Sequence, residues 1–142
     1  MERYFVLGFV VAGLNYRWQW CMLPHSVVVV ASVLFCIAYF FYGEVIKENT
    51  FLSRTIEVQE NQKVITSGMY GIVRHPMYLT TIVMFLMIPL ILGSIFSFCI
   101  FLTYPLIIVK RIRNEEKVLE EQLEGYLEYE KKVKFRLIPG IW

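Results

Sequence analysis

From Pro76 to Val109 the chain runs 34 residues without a formally charged side chain. A single straight helix of that length would be ~50 Å long, well beyond a ~30 Å hydrocarbon core. The middle reads Met87-Ile-Pro-Leu-Ile-Leu-Gly-Ser94, where Pro89 supplies a break and Gly93 a tight turn. The spacing therefore predicts a helical hairpin over 76–109, with two short legs returning to the side they left.

Two further uncharged stretches lie upstream. Pro24–Gly43 (PHSVVVVASVLFCIAYFFYG) is long enough for a span. Its Val-rich composition is no objection, because lipid demands internal backbone hydrogen bonding and so imposes helix. The thirteen residues between Arg3 and Arg17 reach only ~20 Å as a helix, which fits a short or tilted span. No small-residue cleavage site follows Tyr4–Leu14, so a removable leader is not expected. Composition agrees with lipid as part of the solvent: 57% of residues are hydrophobic and 18% charged, against about a quarter charged in an ordinary soluble domain.

Charge sets the orientation. Lys47, Arg54, Lys63 and Arg74 fall between the second stretch and the hairpin, and eight more Lys and Arg follow Val109. The positive-inside rule places both segments in the cytoplasm. The fold class expected is an all-α integral membrane protein, with about four transmembrane helices including the hairpin, followed by a cytoplasmic amphipathic helix. One domain is expected over 1–142: membrane helices in 1–43, a cytoplasmic segment in 44–75, the hairpin in 76–109, and a C-terminal helix and tail in 110–142. In the last, Ile112, Leu119, Leu123, Tyr126, Leu127 and Val133 approximate one apolar stripe over Lys110–Lys134, with Gly125 a weak point.

Net charge of +2 gives no case for nucleic acid. Cys21, Cys36 and Cys99 are isolated in or beside apolar stretches, so no metal centre is expected. There is no nucleophile–base triad and no phosphate-binding glycine loop. What remains is a juxtaposition. Arg74 and His75 precede the first leg of the hairpin, and Lys110, Arg111 and Arg113 follow the second. Arg111 and Glu115 share a helix face at i, i+4. Arg and Tyr at helix ends commonly anchor at the interface. However, Thr66–Tyr78 also carries two glycines and a proline suited to a first helical turn, a backbone able to receive an anionic group.

In order, Gly68-Met-Tyr70, Arg74-His-Pro-Met-Tyr78, a charge-free hairpin, Arg111…Glu115-Glu116…Leu119 and Tyr126…Tyr129 resemble the isoprenylcysteine carboxyl methyltransferase family and the related phospholipid N-methyltransferases, over roughly residues 45–142. The resemblance implies S-adenosyl-L-methionine as cofactor, with Gln59, Gln62, Val64, Ile65, Tyr70, His75, Pro76, Met77, Tyr78 and Glu115 contacting it. Arg111 would face the methyl acceptor, and His75 would be the nearby base for an amine acceptor. Gln62 stands where eukaryotic members have His, and the loop between Gln59 and Tyr70 is shorter than theirs. The implied reaction is methyl transfer to a lipophilic acceptor, foremost a carboxylate, which is ionised at neutral pH and needs no base. Alternatives are a phospholipid or amine N-methyltransferase, an NADPH-dependent sterol-type reductase, and a non-catalytic membrane scaffold. Expected partners are membrane lipids and a lipophilic or lipidated substrate.

Overall fold

The computed structural model describes residues 2–51 and 56–142, and the predicted positive charge at Arg54 lies outside them. The described residues form six α-helices and one 3-10 turn: α1 (Glu2–Trp18), α2 (His25–Glu48), the 3-10 turn Gly68–Gly71, α3 (Pro76–Ile91), α4 (Ile95–Phe101), α5 (Tyr104–Gln122) and α6 (Tyr126–Lys132). Among them the only sheet-type pairing is an isolated bridge between Met22 and Ser94. The all-helical expectation holds.

Two compact units result. The first comprises 1–40 and 81–106, and the second 41–80 and 107–142. In the first unit α1 packs on α4. Phe101 is fully buried, with its ring near those of Tyr4, Phe5 and Phe9. The Ser97 hydroxyl donates to the Gly8 carbonyl at 2.8 Å, a polar tie between two apolar helices. Asn15, fully buried, donates from Nδ2 to the carbonyls of Cys21 and Gly93 and accepts the Cys21 N–H on Oδ1. One amide thus fastens the end of α1 to the turn after α3, satisfying backbone groups that lie away from water.

That turn corrects one expectation. Pro89 lies inside α3, which continues to Ile91, so it is not the break. The turn is made by Gly93 at φ +71°, in the left-handed region that a side chain disfavours. The Pro89 carbonyl accepts the Ser94 N–H, so the proline's acceptor is used at the helix end. Ser94 then caps α4 by accepting the Ser97 N–H on its side chain. The returning leg is also interrupted at Leu102–Thr103, because Pro105 cannot donate a helical hydrogen bond and its ring crowds the carbonyl four residues back.

Among the described residues two helical stretches are able, by length and composition, to cross a membrane: His25–Glu48, and Ile95–Gln122 taken through that interruption. Only 11% of the apolar window in α2 is buried. Val29, Val30, Val33, Ile37 and Phe40 stand exposed along it. A core helix of a soluble protein would cover such a surface, and lipid would make covering it unnecessary.

The second unit is built round Tyr126, Tyr129 and Val133, with Val64, Leu119 and Leu123 packed against them. The predicted single helix over Lys110–Lys134 is two helices instead, with Gly125 at φ +83° between them. The turn resets the helical phase. Ile112, Leu119, Leu123, Tyr126 and Val133 keep the inner face, whereas Leu127, assigned to the same stripe, is exposed.

Candidate functional site

The backbone leading into α3 is held first by its neighbours in the tail. His75 precedes a proline and is thereby pushed to an extended conformation. The N–H groups of Arg74 and His75 find partners outside any helix, donating to the carbonyls of Phe135 and Arg136, both at 2.9 Å.

The Arg74 side chain is buried, and each of its three guanidinium nitrogens has a partner. Nε donates to Glu116 Oε1 at 2.9 Å, and the two ends of the fork reach Glu116, Glu130 and the carbonyls of Val133 and Lys134. An interfacial anchor would leave its head in water, so Arg74 is a structural cation. Glu116, 2% exposed, sits at the centre. Its Oε1 takes Arg74 and, at 3.1 Å, His75 Nε2, and its Oε2 takes Arg136 Nε at 2.6 Å. The same bond to Glu116 holds the Arg136 guanidinium above its ordinary pKa.

One residue earlier on α5 the chemistry differs. Successive helical residues project about 100° apart, and Glu115 turns to a second group. Its Oε2 accepts the Tyr78 hydroxyl at 2.5 Å, and that hydroxyl accepts from Arg111 Nε at 2.8 Å. The i, i+4 pairing of Arg111 and Glu115 thus closes on one phenol, and the Arg111 guanidinium lies 5.8 Å from the Tyr78 ring centre. The two motifs either side of the hairpin do meet.

Both groups border one pocket, which is partly open to solvent. Of the residues that the resemblance implied, Gln62, Ile65, Tyr70, His75, Met77, Tyr78 and Glu115 line it. Gln59, Val64, Pro76 and Arg111 do not stand among the lining residues. Gln59 is tied instead to Phe51 and Gln62, Val64 packs under the tyrosine cluster, and Pro76 is fully buried at the helix start. Arg111 reaches the pocket through the Tyr78 hydroxyl.

Several contributors have no site role assigned from the sequence: Glu116 and Arg136 behind the pocket, and Asn49, Glu57, Tyr126 and Tyr129 in its wall. For Glu116 a signal existed. It falls with Ile112, Leu119 and Leu123 on one helical stripe, and a carboxylate in an apolar stripe asks for buried cations. Tyr70, Tyr126 and Tyr129 keep their protons at neutral pH. Burial pushes the Tyr70 phenol up to about 12 despite a hydrogen bond donated by Asn49. Burial likewise raises Tyr126, helped by the Glu116 carboxylate, and Tyr129, helped by Tyr70. Tyr129 donates to the Tyr70 carbonyl at 2.7 Å, whereas the Tyr126 hydroxyl is buried with no hydrogen-bond partner among the described residues.

Comparison with known proteins puts this geometry in context. The chain is similar to mouse Delta(14)-sterol reductase TM7SF2, 29% identical over 117 residues that cover 73% of this chain and 28% of the reductase. It therefore spans under a third of that relative's length. The family model described as isoprenylcysteine carboxyl methyltransferase (ICMT) matches residues 27–121. That stretch takes in the Arg74–Tyr78 entry to α3 and the Arg111–Glu116 face of α5, and by it the chain belongs to the isoprenylcysteine carboxyl methyltransferase family.

Proposed function

We propose that this is an integral membrane enzyme that transfers a methyl group from S-adenosylmethionine to a lipophilic acceptor, with a carboxylate as the favoured acceptor. The charge of the pocket wall carries the proposal. Among the described residues its charged lining is Glu57, Glu115 and Arg74, and all three guanidinium nitrogens of Arg74 are engaged by Glu116, Glu130 and the tail. Such a wall suits a cationic ligand and offers poor reception to phosphates. The residues present fit a sulfonium cofactor bearing an ammonium group. Tyrosine faces attract the sulfonium, Glu115 takes the ammonium or ribose hydroxyls, and Ile56, Ile65, Leu119 and Leu123 receive an apolar ring. When bound, the cofactor supplies an electrophilic methyl group. Arg111 orients the acceptor carboxylate, which needs no base, and Tyr78 keeps Arg111 and Glu115 in register. Four spans, with the second unit, which holds 12 of the 14 Lys and Arg, on the cytoplasmic side, complete the reading.

The reductase similarity favours a second reading, an NADPH-dependent reduction. NADPH carries several phosphates, and the acidic wall argues against it. Calorimetry of the purified chain with each cofactor separates the two. S-adenosylmethionine should bind, and Glu115→Ala should weaken it by about 10- to 100-fold. Binding of NADPH alone would overturn the proposal, as would binding of S-adenosylmethionine that ignores Glu115→Ala. Membranes incubated with methyl-labelled cofactor should then yield a base-labile labelled lipid or peptide. A base-stable label identifies an amine acceptor.

A further inference from the structure

We propose that Glu116 is a positioning residue that fixes the tautomer of His75, keeping the proton on Nε2 and the lone pair on Nδ1, and so decides which of the two ring nitrogens can take a proton. Four bonds point to this. Glu116 Oε1 and Oε2 together receive Arg74 Nε, an Arg74 fork nitrogen, Arg136 Nε and His75 Nε2. Guanidinium nitrogens only donate, so a carboxyl group receiving three of them is an ionised acceptor. An ionised acceptor cannot donate to the imidazole, and the ring nitrogen 3.1 Å away must carry the hydrogen. The ring has no freedom to swap nitrogens. His75 is 5% exposed, its backbone N–H is tied to Arg136, and its ring lies 5.7 Å from that of Tyr78. Nδ1 has no hydrogen-bond partner among the described residues, and His75 lines the pocket.

The consequence for acceptor chemistry rests on the methyl-transfer reading. With a carboxylate acceptor Nδ1 stays a spectator. With an amine arriving as ammonium, the N–H bond breaks and its proton passes to Nδ1, giving an imidazolium facing Glu116. The freed nitrogen pair then forms the N–CH₃ bond as the S–CH₃ bond breaks, and that bonding pair stays on sulfur in a neutral thioether. Glu116 would thus let one pocket serve both acceptor classes.

The test needs neither cofactor nor turnover, so its failure is distinguishable from failure of the methyl-transfer reading. The chain has two histidines, and His25→Ala leaves one to observe. Nitrogen-15 spectra of histidine-labelled protein in micelles at neutral pH should show a protonated Nε2 and a bare Nδ1, the Nε2–H form exceeding its tautomer by at least about tenfold. Proximity contacts should join that ring to the Glu116 methylenes. In Glu116→Gln, whose amide can accept or donate, the ratio should fall several-fold. A bare Nε2, a doubly protonated ring or an absent Glu116 contact in the wild-type protein overturns the proposal, even if the variant does not fold. An unchanged ratio in folded Glu116→Gln overturns it equally.

Discussion

Tyr126 and Tyr129 stand three residues apart on one short helix, line the same pocket, and differ by one hydrogen bond. Tyr129 donates to the Tyr70 carbonyl, so Tyr129→Phe should cost about 1 kcal/mol of stability. Tyr126 has a buried hydroxyl without a partner, and Tyr126→Phe should leave the ligand-free protein as stable as before or slightly more so. Denaturant unfolding in micelles checks the pair, and equal losses for both would contradict the assignment. Some of the site was legible at this scale. Tyr70, His75, Tyr78 and Glu115 stand out as residue types beside helix ends, and all of them line the pocket. Arg136 was not legible. Its partner Glu116 lies 20 residues away, and no local pattern encodes the path of the tail that brings them together.

At the scale of elements, hydropathy and charge gave the helices well and their joints less well. Uncharged length is a property of a whole segment, so α1, α2 and the hairpin legs could be read directly. Joints depend on the conformation of single residues. Pro89 was expected to break α3 yet sits inside it, while Gly93 makes the turn. Gly125 divides what looked like one amphipathic helix, and its left-handed φ is what takes Leu127 off the inner face. A Cβ at Gly125 would meet nothing within 4 Å, so the cost of a side chain there is conformational rather than steric. Gly125→Ala should therefore destabilise the second unit by about 1–2 kcal/mol, and Gly125→Asn by less, since Asn tolerates the left-handed region. Thermal melts of the two variants give the ranking, and a milder effect of Ala would refute the joint.

For the molecule as a whole, lipid replaces part of the core. The apolar exposure along α2 suits a hydrocarbon solvent. Val33, exposed in mid-helix, should tolerate Leu. Val33→Arg should cost insertion about 2.5–3.5 kcal/mol, read as the membrane-retained fraction after alkaline extraction. Full retention of the arginine variant would argue that this face of α2 never meets lipid.

The way the tail closes on the start of α3 also has a meaning in time. Arg74 and His75 leave the ribosome some sixty residues before Phe135 and Arg136, whose carbonyls receive their backbone N–H groups. Until then a cationic side chain and two amide donors must wait, solvated, for Glu116, Glu130 and the tail. Synthesis therefore delivers one half of the binding unit, 41–80, before the returning leg of the hairpin and the other half, 107–142, after it, so the pocket is born only when the second half arrives. A nascent chain stalled before Phe135 would carry its helices without a site to use them.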